Sequence, residues 1–311
     1  MAFERICVVG VGGVGGYLGG HMAYSIERQP ALGRQIYFVA RGPHLAAIQR
    51  NGLMLNTSKR SGLICNPTLA TDNLLEIPTP DLYLVCVKSY DLDAVVHAIK
   101  KNMQPDTVIL PLLNGVDIYE RIRGTLADGL VLPACVYIGT HIESPGVITQ
   151  RGGDGAILCG PDPELPDFDP HALSAVFEQS QLDFTWHPDP YPAIWQKYVF
   201  IAAFGLVTAH SGKTLGQTLA DEEDRKQVSA IIEEIAAIAR GRGIVLPDDI
   251  VTASFNKARH FPPETRTSYQ RDVETVGKEN EGDLFGGAIM RMGQQLGIPT
   301  PATAALYAGL R

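Results

Sequence analysis

The chain has 311 residues, 45% hydrophobic and 19% charged, which allows ordinary packed cores, excludes wholesale disorder and, at about 100–200 residues per domain, suggests two domains sharing a cleft. A formal net charge of −8 with 26 Lys and Arg argues against a nucleic-acid binder, which would show a basic surplus. Small molecules are the expected partners.

Five cysteines (Cys7, Cys65, Cys86, Cys135 and Cys159) form no CxxC pair, so no zinc or disulfide framework is readable and reduced thiols in a cytosolic protein are expected. The start, MAFERICVVGVGG, fits neither a signal nor a transit peptide, which again predicts a cytoplasmic location. The longest apolar stretch, Tyr198 to Ala209, falls short of the roughly 18 residues of a membrane span. It reads as a buried helix, and no membrane partner is expected.

In chain order, β-branched runs at Ile6–Val9, Ile36–Val39, Leu82–Val87, Val108–Leu110 and Val131–Tyr137 alternate with helical patterns, the signature of a parallel α/β sheet. Turn signals at Pro145-Gly146 and Gly152-Gly153 flank Val147–Thr149 and Ala156–Cys159, predicting a hairpin that closes the sheet with antiparallel strands. A proline-rich acidic connection follows, then a helix over Ala172–Gln181. From about Pro188 strand signals fade, and helices are predicted over Ile194–Ala209, Val228–Arg240, Thr267–Gly277 and Leu284–Leu296, the last stopped by Gly297-Ile298-Pro299. The fold expected is an α/β Rossmann-type N-terminal domain with a parallel sheet, residues 1–187, followed by an all-helical C-terminal domain, residues 188–311.

Gly10-Val11-Gly12-Gly13-Val14-Gly15 satisfies GxGxxG directly after the first strand and before a helix. Gly10 permits the tight turn, Gly12 lets backbone approach a pyrophosphate, and Gly15 lets helix and strand pack closely. Gly13 and Val14 sit at the helix start, where free N–H groups face phosphates. The second strand ends at Arg41-Gly42 with no carboxylate nearby in sequence, where NAD-preferring sites place an acid. A guanidinium there suits a 2′-phosphate, so NADP(H) is the expected cofactor; a solvated loop arginine is the competing reading.

These residues resemble the ketopantoate reductases (2-dehydropantoate 2-reductases), which reduce a 2-oxo acid with NADPH on the route to pantothenate. The resemblance covers nearly the whole chain: GVGGVGGYLGG at 10–20, ARGPHLAAIQRNGLML at 40–55, CVKSYDLDAVV at 86–96, LLNGVD at 112–117, SPGVITQRG at 144–152, IWQK at 194–197 and GIPTPATAAL at 297–306. It implies that Lys197 is the catalytic lysine, protonating the carbonyl oxygen as hydride arrives at carbon. It places Lys88 near cofactor and substrate, Asn114 at the nicotinamide ribose and substrate end, and Ser268 on the substrate carboxylate. A snorkelling lysine at 197, a surface lysine at 88 and a turn asparagine before Gly115 are the plain alternatives.

The chain also departs from the family. Where the family carries asparagines four and eight residues after the lysine, Ile201 and Gly205 stand. Where it binds the substrate hydroxyls with a glutamate, Asn280 stands between Glu279 and Glu281, and Glu281 turned inward would restore a carboxylate. The hydride machinery is thus expected intact and the ketopantoate pocket altered. Two alternatives follow: a related NADP(H)-dependent reductase acting on another 2-oxo acid or a ketone, and a non-catalytic NADP(H)-binding sensor. Eight histidines without HxxxH or HExxH spacing give no metal site. The helical domain carries enough apolar surface for a homodimer, with no interface readable.

Overall fold

The computed structural model describes residues 3–275, 277 and 279–310, which fall into two compact units. One runs to Leu113 and resumes over Ile118–Pro190; the other takes Asn114–Asp117 and continues from Tyr191. The chain therefore divides at 190/191 rather than 187/188, and a four-residue segment just after the fourth predicted strand belongs with the helical unit.

In the first unit the elements run β1 (Arg5–Val9), α1 (Gly13–Arg28), β2 (Gln35–Val39), α2 (Gly42–Asn51), β3 (Leu53–Asn56), β4 (Leu63–Cys65), β5 (Leu69–Thr71), β6 (Leu82–Val85), α3 (Leu92–Lys100), β7 (Val108–Pro111), α4 (Ile118–Arg123), β8 (Leu130–Val131), β9 (Ala134–Ser144), β10 (Val147–Cys159), α5 (His171–Gln179) and β11 (Phe184–Trp186). Six strands form an entirely parallel sheet ordered β5-β2-β1-β6-β7-β8. The order reverses between β1 and β6, so a crevice opens outside the carboxyl ends of those two strands. Ile6, Val8, Phe38, Leu82, Leu84, Val108 and Leu110 are fully buried, as both faces of a parallel sheet require.

Two expectations are corrected here. Val131–Tyr137 is not one strand: β8 ends at Val131, and β9 begins at Ala134 beyond Pro133, which has no N–H to extend a ladder. The hairpin does not close the parallel sheet either. Val147–Cys159 is a single strand, irregular around Gly152, and it founds a second sheet in which β10 pairs β9 antiparallel and β3 and β11 parallel. Helix α1 lies against both sheets. Added Cβ atoms at Gly16 and Gly19 would run into Ile148 and into Phe38 and Val8 respectively, so the glycine run after the fingerprint lets one helix serve two layers.

Among the described residues of the second unit the regular elements are all helical: α6 (Tyr191–Ser211), α7 (Leu215–Ala220), α8 (Glu222–Gly241), α9 (Ile250–Arg259), α10 (Ser268–Glu274), α11 (Ala288–Leu296) and α12 (Pro301–Ala308). A π-helical turn over Asp283–Gly287 precedes α11, where a single helix over Leu284–Leu296 is expected from sequence. Helix α10 ends at Glu274, short of the predicted Gly277; Val276 lies outside the described residues. By length and composition α6 could cross a membrane. Its Val199, Ala202, Ala203, Phe204, Leu206 and Val207 are instead fully buried within the unit, where α8 and α10 pack upon it, as a core helix does. Glu234 of α8 accepts from the Ala302 and Thr303 backbone N–H groups (2.7 and 3.0 Å) and from the Thr303 hydroxyl (2.7 Å). It caps α12 from a neighbouring helix.

Candidate active site

The glycine-rich turn connects β1 to α1 at the sheet's switch point. Gly10 has φ +90°, and a Cβ there would lie 2.7 Å from Val87 Cγ1; one at Gly15 would collide with the Gly10 carbonyl. Gly12, at the N-cap of α1, has nothing within 4 Å of its Cβ position. The turn is therefore closed toward the protein and open on the side where the first N–H groups of α1, among them those of Gly13, Val14 and Gly15, lack helical partners. That asymmetry is what a pyrophosphate needs.

A cavity of about 580 Å³ begins at Gly10, Val11 and Gly12 and runs past Arg41, Lys88 and Lys101, with Asp72 and Asp91 also on its wall. Three cations against two carboxylates, beside a helix N-terminus, suit a phosphorylated ligand. Lys88 is half-buried in the loop after β6, immediately before a short 3₁₀ turn over Ser89–Asp91. These residues fit the dinucleotide expected from the fingerprint.

Two participants escaped the sequence reading. His44, in the first turn of α2, accepts the Gly146 N–H at Nδ1 (3.0 Å), which leaves the ring proton on Nε2. Burial lowers its pKa while the Val11 carbonyl opposes that shift, so a neutral ring ties the β9–β10 turn to the cavity wall. The second is Asp91. Although no carboxylate is near Arg41 in sequence, Asp91 lies 2.5 Å from its Nη2.

In the helical unit, Lys197 lies in the second turn of α6, half-buried. Ile201, Gly205 and Thr208 follow on the same face at helical spacing. Thr208 Oγ1 bonds the Phe204 carbonyl (2.7 Å) and meets Thr267 Oγ1 at 2.9 Å, and Thr267 caps α10 through the Gln270 N–H. This fixes where α10 begins, with Ser268 exposed at its first position and Tyr269 buried against α6. The Tyr269 hydroxyl is buried without a hydrogen-bond partner, and burial, with a smaller contribution from Tyr307, pushes its pKa up to about 12.

The acidic stretch resolves clearly. Glu279 is exposed, Asn280 folds back to accept the Gly282 N–H at 2.9 Å, and Glu281 is only 3% exposed. The carboxylate that turns into the protein is therefore Glu281. Asn114 belongs to this unit, on a segment held at its far end by Asp117, 4.0 Å from Arg291. Arg291 in turn makes two bonds to Asp283, 2.5 and 3.0 Å.

Two family models match the chain: that described as ketopantoate reductase PanE/ApbA over residues 6–164, and its C-terminal counterpart over 190–311. The uncharacterized oxidoreductase YkpB of Bacillus subtilis is 26% identical over 307 residues, 99% of this chain and 98% of that protein. The PanE/ApbA family ketopantoate reductase from Ralstonia eutropha superposes with a TM-score of 0.87 at 29% identity, covering 99% of this chain and 97% of the other. For 2-dehydropantoate 2-reductase from Porphyromonas gingivalis the values are 0.83 and 31%, over 100% and 99%.

Proposed function

From the premise that this chain belongs to the PanE/ApbA ketopantoate reductase family, we propose that it reduces a 2-oxo acid with NADPH, the acid being less hydroxylated than ketopantoate. The observation that carries the cofactor half is the glycine turn, closed at Gly10 and Gly15 and open at Gly12, at the head of a cavity bearing Arg41 and Lys88. Bound there, NADPH supplies a hydride to the substrate carbonyl carbon.

The remaining chemistry falls to side chains. Negative charge develops on the carbonyl oxygen as hydride arrives, and the Lys197 ammonium stabilises it and then gives up a proton to it, yielding the 2-hydroxy acid. Gly12 through Gly15 hold the pyrophosphate by backbone N–H groups. Arg41 takes the 2′-phosphate, and Lys88 and Asn114 orient cofactor and substrate. Ser268 serves the substrate carboxylate, with Glu281 rather than Asn280 as the acidic neighbour.

The departure from ketopantoate rests on Gly205, Ile201 and Asn280. Two positions that would carry polar side chains toward a hydroxylated substrate carry none, and the third is engaged with its own backbone. A pocket with fewer groups to bond hydroxyls, Glu281 being the acid it keeps, loses much of its preference for a hydroxylated substrate. NADPH consumption with a panel of 2-oxo acids tests both halves. Turnover of an acid other than ketopantoate is expected; efficient turnover of ketopantoate would place the enzyme in pantothenate synthesis, and tight NADPH binding with no turnover would make it a sensor.

A further inference from the structure

Building on the NADPH reading above, we propose that Asp91 is a selectivity-determining residue of the nucleotide site, restraining the preference for a 2′-phosphorylated dinucleotide by holding a carboxylate against Arg41. The two residues come from different crossovers. Arg41 is the N-cap of α2, at the carboxyl end of β2, and Asp91 is the N-cap of α3, in the loop after β6. An aspartate at an N-cap ordinarily accepts from the N–H groups of the following turn. Asp91 makes no such bond; its carboxylate reaches Arg41 instead, Oδ2 to Nη2 2.5 Å.

Exposure shows what this pairing leaves available. The Arg41 side chain is 73% exposed and that of Asp91 25%, so one Nη2 donor is engaged by the carboxylate while most of the guanidinium stays accessible beside the cavity both residues line. A guanidinium carries five donors in a planar fork and can serve two anions at once. Any phosphate taken by the free edge then lies within a guanidinium's width of a carboxylate, and like charges at that separation oppose each other.

A 2′-hydroxyl meets the same carboxylate as an acceptor. Asp91 thus supplies from the β6 loop the acid that the end of β2 lacks. The pair attracts a phosphate less than a lone arginine would, and accommodates a hydroxyl better.

The test is the dissociation constant of NADPH and of NADH, read by fluorescence titration, for the unaltered protein and for Asp91→Asn. The amide keeps the shape and an acceptor oxygen while removing the charge. NADPH is expected to bind about 5- to 50-fold more tightly in the variant and NADH within about threefold of its original value, the gain shrinking as salt is raised. Retained NADH binding shows that the variant is folded; should Asp91→Asn fail to fold, Asp91→Ser gives the same readout. An unchanged NADPH-to-NADH ratio overturns the proposal, and so does a fall, which would make Asp91 only a prop for Arg41. If the unaltered protein binds neither dinucleotide, the functional reading fails and this inference with it; binding with a ratio indifferent to residue 91 defeats this inference alone.

Discussion

Gly205 and Tyr269 face one another where α10 packs on α6: a methyl group at 205 would lie 3.6 Å from the tyrosine Cβ and 3.8 Å from Cδ1. An alanine there would make ordinary contact with the tyrosine. Where the family resemblance calls for an asparagine, the chain has removed a side chain from one helix and set an aromatic ring from the other against the gap, with further rings at Phe285 and Tyr198 behind it.

Restoring asparagine at 201 and 205 is therefore expected to be insufficient to recover ketopantoate activity, because a Cβ at 205 already touches Tyr269 and a longer side chain must share space with its ring. The double variant Ile201→Asn/Gly205→Asn is expected to lose stability by about 1–3 kcal/mol from overpacking and gain no activity. Adding Tyr269→Met, which trades the ring for a flexible chain, should raise kcat/KM for ketopantoate by at least about 10², since the polar groups then have room to act together. Steady-state kinetics and urea unfolding on the double and triple variants decide it; a gain in the double variant alone would show that Tyr269 does not occupy the pocket.

The neighbouring carboxylates make a paired prediction. Glu281 is buried and Glu279 exposed, so Glu279→Gln should leave kcat/KM for the preferred 2-oxo acid within about twofold. Glu281→Gln should lower it by tenfold or more, as removing the charge from a buried polar group at a binding site does. Equal effects from the two variants would remove Glu281 from the substrate site.

How much of this was legible in the sequence depends on distance along the chain. The Gly10–Gly15 turn, β1, β2 and β7 are local patterns that stand within a residue of where the sequence puts them, and β6 begins at Leu82 as expected but ends at Val85 rather than Val87. The second sheet was not legible because β3 spans only Leu53–Asn56 and finds its partner at Val147–Thr149, far along the chain; a four-residue run gives too little periodicity to separate strand from loop. Helix α7 did carry a readable sign: Thr214 and Gln217 form a capping box. The Arg41–Asp91 pair, fifty positions apart, had no sequence signal, and neither did the assignment of Asn114 to the helical unit, since Asn-Gly looks the same wherever it docks.

His21 couples stability to acid. Its ring packs edge-on against Tyr17 at 4.7 Å between centroids, and Nε2 is buried without a hydrogen-bond partner. Burial, reinforced by Lys59 and Arg60, pushes its pKa down to about 4 from an ordinary 6.5. Above 6.5 the ring is neutral folded or unfolded. Between 6.5 and about 4 the unfolded chain takes up a proton that the folded one refuses, so stability falls with pH through that window, by at most about 3 kcal/mol. His21→Phe should remove this component, and urea unfolding of both proteins at pH 7.5 and 5 should show a smaller loss in the variant. Equal losses would mean that His21 titrates normally.

Lys197 offers the sharpest separation of roles, because the nucleotide cavity is lined by residues of the first unit alone while Lys197 belongs to α6. Lys197→Ala should lower kcat by about 10²–10⁴, the span for a positioned general acid, with NADPH affinity preserved. Lys197→Arg discriminates further. A guanidinium keeps the positive charge and can steady a developing oxyanion, yet it does not give up its proton in a protein. The arginine variant is expected to retain KM within a few-fold while its kcat stays far below that of the unaltered enzyme. If arginine restores full turnover, Lys197 acts by charge alone and the proton comes from elsewhere; if alanine turns over normally, the residue has no part in the chemistry.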